Sequence, residues 1–437
     1  MENFRLPAEW EAQWGVMLTW PHEDTDWKPY LTEITETFVA MSREIAAREH
    51  LLIVVPKAKI VPEEVRQMER VVIFECPTDD TWARDHGPIV LVEECGVWSE
   101  ECGVRRLWLD FRFNGWGEKF PAENDNRIVS WLFEEMTRSE ERGARNEKCS
   151  MFNVQCPMFN VQCPMFNVQC SMSNVQCSMF NVQCSMFNVQ CSMSNVQCSM
   201  SNVQCSMSNV QLENHQDFVL EGGSIESDGR GTIFTTSQCL LAPNRNQPFT
   251  REEIEAELKR RLRAERVVWL DHGNLVGDDT DGHIDTIVRC APDDTLLYVG
   301  CDDENDEQFA DFQALEQQLK SLQTADGKPY RLLRLPMPKA IFEETISEET
   351  ISEETISEEG GTRKEERERL PATYANFLIL NGAVLAPIYG QPENDAEALR
   401  VIGEAFPDRD IIPIDARTII RQHGSIHCLT MQIPSQI

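Results

Sequence analysis

Apolar residues Ile34, Phe38, Met41 and Ile45 recur at the spacing of one helix face, and the unbroken apolar run Leu51–Pro56 that follows reads as a buried strand. Further strands are predicted at Val71–Cys76, Pro88–Val92, Val267–Leu270, Ile284–Val288, Leu296–Val299 and Ile411–Ile414. Thr250 and Glu253 have capping-box spacing and open a helix running to about Arg263. Helices are also predicted near Glu307–Leu322 and at Ala396–Ala405. Phe377–Leu380 and Ala383–Ile388 flank Asn381-Gly382, the dipeptide of a type I′ hairpin turn. Hairpins mixed among helical crossovers predict an α/β or α+β chain rather than strict βαβ winding. The chain contains neither G-x-G-x-x-G nor a phosphate loop, which removes the usual grounds for nucleotide binding.

Three segments interrupt this pattern. From Cys149 to Gln211 a heptapeptide, Cys-(Ser/Pro)-Met-(Phe/Ser)-Asn-Val-Gln, repeats. Met151, Val154, Met158 and Val161 follow 3-4 spacing, but Pro157 and Pro164 would break a helix there, and charged flanking partners are lacking. A flexible insertion with some tendency to self-associate is expected at 149–211, so a homo-oligomer is a candidate state. Glu-Glu-Cys-Gly-Val stands at 93–97 and again at 100–104, as in a lengthened hairpin. Thr-Ile-Ser-Glu-Glu repeats from Thr345 to Glu359 and leads into a charged stretch, so 343–369 is expected to be a solvated acidic loop.

Charge narrows the partners. The 437 residues carry 40 Lys and Arg against 73 Asp and Glu, a formal charge of −33. Such a surface does not neutralise phosphates, which excludes nucleic acid, and it favours the approach of a small cation. No apolar run reaches the ~20 residues of a membrane span, and the N-terminus lacks a basic segment followed by an apolar one. A cytoplasmic, membrane-free protein is expected. Nine of the 16 cysteines belong to the heptapeptide. The other seven are Cys76, Cys95, Cys102, Cys239, Cys290, Cys301 and Cys428, and they form no CxxC pair that would suggest zinc or a disulfide framework.

Chemistry concentrates in three places. Asp80-Thr-Trp82-Ala-Arg84-Asp85-His86-Gly-Pro88 crowds polar and aromatic residues before a strand, although Arg84 and Asp85 could simply form a salt bridge in a turn. Asp271-His272-Gly-Asn274 and Gly277-Asp278-Asp279-Thr280-Asp281-Gly282-His283-Ile-Asp285 follow. If Ile284 opens a strand, His283 and Asp285 share a face and suit a proton shuttle beside a cation-binding carboxylate, or else two metal ligands. The third place is His423-Gly-Ser-Ile-His427-Cys428. Neighbours on a strand point to opposite faces, so His283 is a better partner for Cys428 than His427 is.

Leu6-Pro-Ala-Glu-Trp10, Gly15-Val-Met-Leu-Thr-Trp20-Pro, Trp82-Ala-Arg-Asp85-His-Gly-Pro, Asn114-Gly-Trp116-Gly-Glu-Lys-Phe, Leu220-Glu221-Gly-Gly-Ser-Ile, Gly282-His283-Ile-Asp285 and Ile426-His-Cys428 occur in the order found in agmatine deiminases. The chain resembles that family, and the related bacterial peptidyl-arginine deiminases, over nearly its whole length outside the repeats. The resemblance implies one catalytic domain over 1–437, a pseudo-fivefold α/β propeller, and metal-free, cofactor-free hydrolysis of a small cationic guanidine, agmatine first. It further implies Cys428 as nucleophile, His283 as proton carrier, Asp85 and Asp285 as guanidinium holders, and Asp279, Glu221 and Trp82 as pocket walls. The stretch His423-Gly-Ser-Ile departs from the glycine run of agmatine enzymes and bears on the substrate, leaving peptidyl-arginine or free arginine as alternatives. A metal-dependent guanidine hydrolase built on His272, His283 and the aspartates is the rival enzyme class, and a non-enzymatic assembly protein built on the heptapeptide is the rival outside enzymes.

Overall fold

The computed structural model describes residues 4–93, 106–144, 210–344 and 367–435. The heptapeptide except its last two residues, the 93–104 duplication except Glu93, and the Thr345–Glu359 repeat lie outside these residues.

The fold is mixed α/β, and five of its sheets share one wiring: two antiparallel strands, then a helix, then a strand parallel to the second. Strands Ile225–Ser227 and Thr232–Thr236 pair antiparallel, helix Arg251–Leu262 crosses over, and Arg266–Leu270 runs parallel to Thr232–Thr236. Val288–Ala291, Thr295–Gly300, helix Phe309–Ser321 and Arg331–Pro336 repeat the plan. So do Leu378–Leu380, Ala383–Ile388, helix Pro392–Ala405 and Asp410–Asp415. Ile89–Glu93, Arg106–Arg112, helix Ile128–Ala144 and Val210–Val219 make another copy. The fifth closes the chain on itself: the C-terminal strand Thr430–Pro434 pairs with Gln13–Thr19, and helix Leu31–Arg48 leads to His50–Val55. Each parallel step needs a long crossover, which is why helices follow the second strand in every unit.

Local sequence explains the elements. Ile34, Phe38, Met41 and Ile45 are fully buried on one face of the helix Leu31–Arg48. Thr250 caps its helix as expected, its hydroxyl accepting from Glu253 N at 3.3 Å while the Glu253 carboxylate accepts from Thr250 N at 2.8 Å. Cys76, Cys239, Cys290, Cys301 and Cys428 are buried and unbridged. No described helix is long and apolar enough to cross a membrane.

Three expectations change. Ile284–Val288 is not a strand: Ile284–Thr286 is a single 3-10 turn, and the strand starts at Val288. The hairpin at Asn381-Gly382 forms, but only Gly382 has positive φ, so the turn is not type I′. Asn381 is instead held by tertiary bonds: its side chain accepts from Gln13 N at 3.1 Å and donates to Gln13 O at 2.8 Å. The flanks of the expected acidic loop are strands, Ile341–Glu344 pairing antiparallel with Arg367–Leu370. Partly buried ion pairs hold them, with Glu343 beside Arg421 and Arg369 forked onto Asp306.

Candidate active site

The segments joining these units converge on Cys428. Asp85 lies in the short helix Ala83–His86, where its carboxylate accepts from Trp116 Nε1 at 2.9 Å and from Gly223 N at 3.0 Å. Trp116 reaches it from a left-handed backbone (φ 55°), a conformation a bulky residue holds only when its surroundings over-determine it. A Cβ on Gly223 would stand 2.6 Å from His283 Nδ1 and 2.9 Å from Asp85 Oδ1, so glycine there permits the close packing. His283 is fully buried with Nδ1 3.7 Å from Asp85 Oδ1, and neither ring nitrogen has a hydrogen-bond partner.

Asp285 is also fully buried. Its Oδ2 lies 2.7 Å from His427 Nδ1 and its Oδ1 has no partner. His427 and Cys428 sit in a turn before Thr430–Pro434, not on the strand itself. Cys428 Sγ is 3.6 Å from Asp285 Oδ2, and Asn376 Nδ2 donates to it at 3.2 Å. The Asn376 carbonyl oxygen accepts from the backbone N–H groups of His427 (2.9 Å) and Cys428 (3.2 Å), which fixes the turn presenting the sulfur.

Burial and neighbouring charge set the ionisation. Burial first, then Asp285 and Asp85, push the Cys428 thiol well above its ordinary range. Burial alone disfavours the His283 imidazolium, but Asp85, Cys239 and Glu221 outweigh it and hold the ring's pKa well above the usual value. Burial, reinforced by Asp285 and Glu221 and opposed by His283, raises Asp85 to about 6. Asp285 is lowered despite burial, because His427 bonds to it and adds positive charge.

A cavity of about 170 Å³ opens over Cys428 and Asp85. Trp82 forms one wall, its Nε1 donating to Asp80 at 3.0 Å. Gly424 lies flat against that indole, where a Cβ would come within 2.1 Å of the ring. Asp279 stands at the opening with its carboxylate 3.7 Å from His423 Nδ1. Glu221 is fully buried behind the floor, accepting from Arg245 Nε at 3.0 Å, and does not line the cavity.

Cys428, His283, Asp85, Asp285, Glu221, Trp82 and Asp279 are therefore brought into one region. His283 and Asp285 meet there through a 3-10 turn rather than strand alternation. Arg84 does not pair with Asp85 but turns away to Glu9 and Gln432. His272 is separate, half-exposed and bonded to Asp311 at 3.0 Å. Asp278 accepts from Thr280 and Gly282, and Asp281 from Lys119 and Arg245, so these two aspartates of the metal-dependent reading already have partners. Among the described residues, Glu221, Cys239 and His283 place ligand atoms within 4.8 Å of one another, as do Glu9, Glu226 and His427. Arginines already neutralise both sets, Arg245 the first and Arg84 with Arg289 the second, unlike the open donor set of a catalytic metal. Asn376, Trp116, Arg245 and His427 were not assigned to the site from sequence. The signal available was a polar residue inside an apolar run, as with Asn376 before Phe377.

The chain matches the family described as Porphyromonas-type peptidyl-arginine deiminase over residues 5–152 and 164–434. It is 29% identical to the agmatine deiminase of Pseudomonas putida across 100% of this chain and 97% of that protein. A C. jejuni agmatine deiminase, solved as a cysteine-to-serine variant with substrate bound, is 30% identical with a TM-score of 0.71, covering 100% of this chain and 98% of that one. A Porphyromonas gingivalis protein, provisionally an arginine deiminase, is 37% identical with a TM-score of 0.69, covering 99% and 98%.

Proposed function

The chain belongs to the Porphyromonas-type peptidyl-arginine deiminase family, and on that premise we propose that it hydrolyses agmatine to N-carbamoylputrescine and ammonia through a cysteine thiouronium. The observation that carries the choice of substrate is the cavity lining. Asp26, Asp80, Asp85 and Asp279 line it, with no lysine or arginine among the described residues. The proposed enzyme is cytoplasmic and needs no metal or organic cofactor. Its five like-wired units surround the site as a pseudo-fivefold propeller.

In this reading Asp85 and Asp285 accept the N–H donors of the guanidinium and fix its plane over Cys428. The bound cation lowers the cost of the thiolate that Asp85 and Asp285 otherwise oppose. The thiol proton passes to solvent as the cation binds, the Cys428 thiolate adds to the guanidinium carbon, and His283, held protonated, donates to the ammonia that leaves as the C–N bond breaks. Water deprotonated by His283 then attacks the thiouronium carbon, releasing the carbamoyl product and regenerating the thiol. The arginine reading rests on His423, the cavity residue able to offer a carboxylate positive charge. Ammonia release from agmatine, arginine and an arginine peptide, each with and without EDTA, tests the proposal. Agmatine turnover should be unchanged by the chelator, whereas a stoichiometric transition metal whose removal abolishes turnover would move the assignment to a metal-dependent guanidine hydrolase.

The pH profile follows from Asp85. A carboxyl raised to about 6 must ionise before it can hold a cation, so kcat/KM should fall about tenfold per pH unit below that value. A profile flat down to pH 4.5 would remove Asp85 from the role given to it.

A further inference from the structure

The motif Leu6-Pro-Ala-Glu-Trp10 has no part in the chemistry above, yet its carboxylate sits directly behind the site. Glu9 Oε1 accepts from Arg84 Nη1 at 2.9 Å, and Oε2 accepts from Arg289 Nη2 at 2.5 Å. The two oxygens lie 2.9 and 3.0 Å from His427 Nε2. The other ring nitrogen of His427 is 2.7 Å from Asp285 Oδ2. Carboxylate oxygens thus stand at both ring nitrogens: one edge of the imidazole holds Asp285, while the other meets Glu9 and, at 3.0 Å, Arg289 Nη2.

Glu9 also reaches the second guanidinium-holding segment, because Arg84 precedes Asp85 and its backbone N donates to Cys428 O at 3.1 Å. It does not line the cavity over Cys428. It lines a separate cavity of about 70 Å³, together with Arg84 and Gln432, and meets the ring nitrogen of His427 opposite the one that holds Asp285.

We propose that Glu9 is a positioning residue: through His427 it pins Asp285 Oδ2 and leaves Asp285 Oδ1, the oxygen without a protein partner, aimed at the guanidinium. The pinned carboxylate needs no reorganisation when the cation arrives, which is the physical gain of a partner behind a binding group. The inference rests on the reading of Asp285 as a guanidinium holder. Without Glu9, Arg289 Nη2 at 3.0 Å is the contact left at His427 Nε2, and the carboxylate that also ties the ring to Arg84 is gone. Asp285 then keeps its bond to a ring no longer held from behind.

The test is agmatine binding, by calorimetry, to protein carrying Cys428→Ser so that no turnover intervenes. Glu9→Gln should raise the agmatine Kd by about tenfold, the lower end of what partners behind a metal ligand are worth. Glu9→Asp should recover part of that loss. In an Asp285→Asn background, Glu9→Gln should add little further loss, because its effect passes through that carboxylate. A lower melting temperature with an unchanged Kd, or fully additive losses in Kd, would show a structural role only and overturn the proposal. The same pair of substitutions is read in urea unfolding, which needs no substrate. Should the parent bind no guanidine, the deiminase reading falls, and non-additive unfolding energies still support the link between Glu9 and Asp285 while additive ones refute it.

Discussion

Replacing Cys428 by serine should reduce ammonia release from agmatine by on the order of 10⁴-fold or more, with the fold retained and agmatine still bound. Serine is close to cysteine in size, and its hydroxyl can meet the Asn376 amide and the Asp285 carboxylate that now contact the sulfur. It cannot supply the thiolate, and among the described residues neither histidine there serves as its base, since both ring nitrogens of His427 face carboxylates and His283 is held protonated. A haloacetamidine should add its mass at Cys428 in the parent and nowhere in the variant. The other thiols discriminate this outcome. Burial and then Asp125 push Cys76 up to about 12, and burial with Glu226 drives Cys290 well above the ordinary range. Neither thiol lines the cavity that Cys428 opens into, so among the described residues an amidinium bound there meets only the Cys428 sulfur. Full activity in the serine variant, or labelling at Cys76 or Cys290 instead, would end the cysteine mechanism as drawn.

The secondary structure was legible wherever a periodic signal coincided with burial. Ile34, Phe38, Met41 and Ile45 define their helix because one face is buried, and Leu51–Val55 reads as an apolar run because a parallel strand is covered on both sides. The short turn at Ile284–Thr286 was hidden, since three residues cannot carry a period. His283 and Asp285 were still assigned together, for the wrong geometric reason. The turn type at Asn381-Gly382 was hidden because side-chain bonds to Gln13, 368 residues away, decide it. The nucleophile and carboxylates could be named because Asp, His and Cys are conspicuous in short motifs. Their supports could not, because each is ordinary locally: Asn376 precedes a hairpin, Glu9 lies inside a turn closed from Glu11 N to Ala8 O, and Arg289 lies within a four-residue strand. Arg289, like Asn376, gave a hint as a polar residue among apolar ones, and burial at that position requires a partner such as Glu226 or Glu9.

Agmatine should exceed arginine in kcat/KM by about two orders of magnitude or more, a gap that one misplaced charge can open. Agmatine is a double cation, whereas arginine brings a carboxylate into the same space. Asp26 and Asp279 line the cavity with Asp80 and Asp85, and the nearby arginines are committed elsewhere. Arg84 is paired with Glu9, and Arg245 is buried against Glu221 and Asp281. A carboxylate would therefore be repelled and desolvated without a cationic partner, apart from His423, which itself stands 3.7 Å from Asp279. The distal ammonium of agmatine has better options. Burial raises Asp80 to about 7, so that group is only partly ionised at neutral pH, and Glu221 is sealed behind the floor. Asp279 and Asp26 are left as tail partners, with the Trp82 indole as a surface for the alkyl chain and its charge. Asp279→Asn should accordingly weaken agmatine about tenfold while changing a neutral-tailed alkylguanidine by less than about twofold, as expected for one partly exposed ion pair. Initial rates on the three substrates, with parent and variant, decide the matter. If arginine or a peptide ending in arginine proves the better substrate, the tail assignment fails at Asp279 and His423 becomes its replacement, while the chemistry at Cys428 stands.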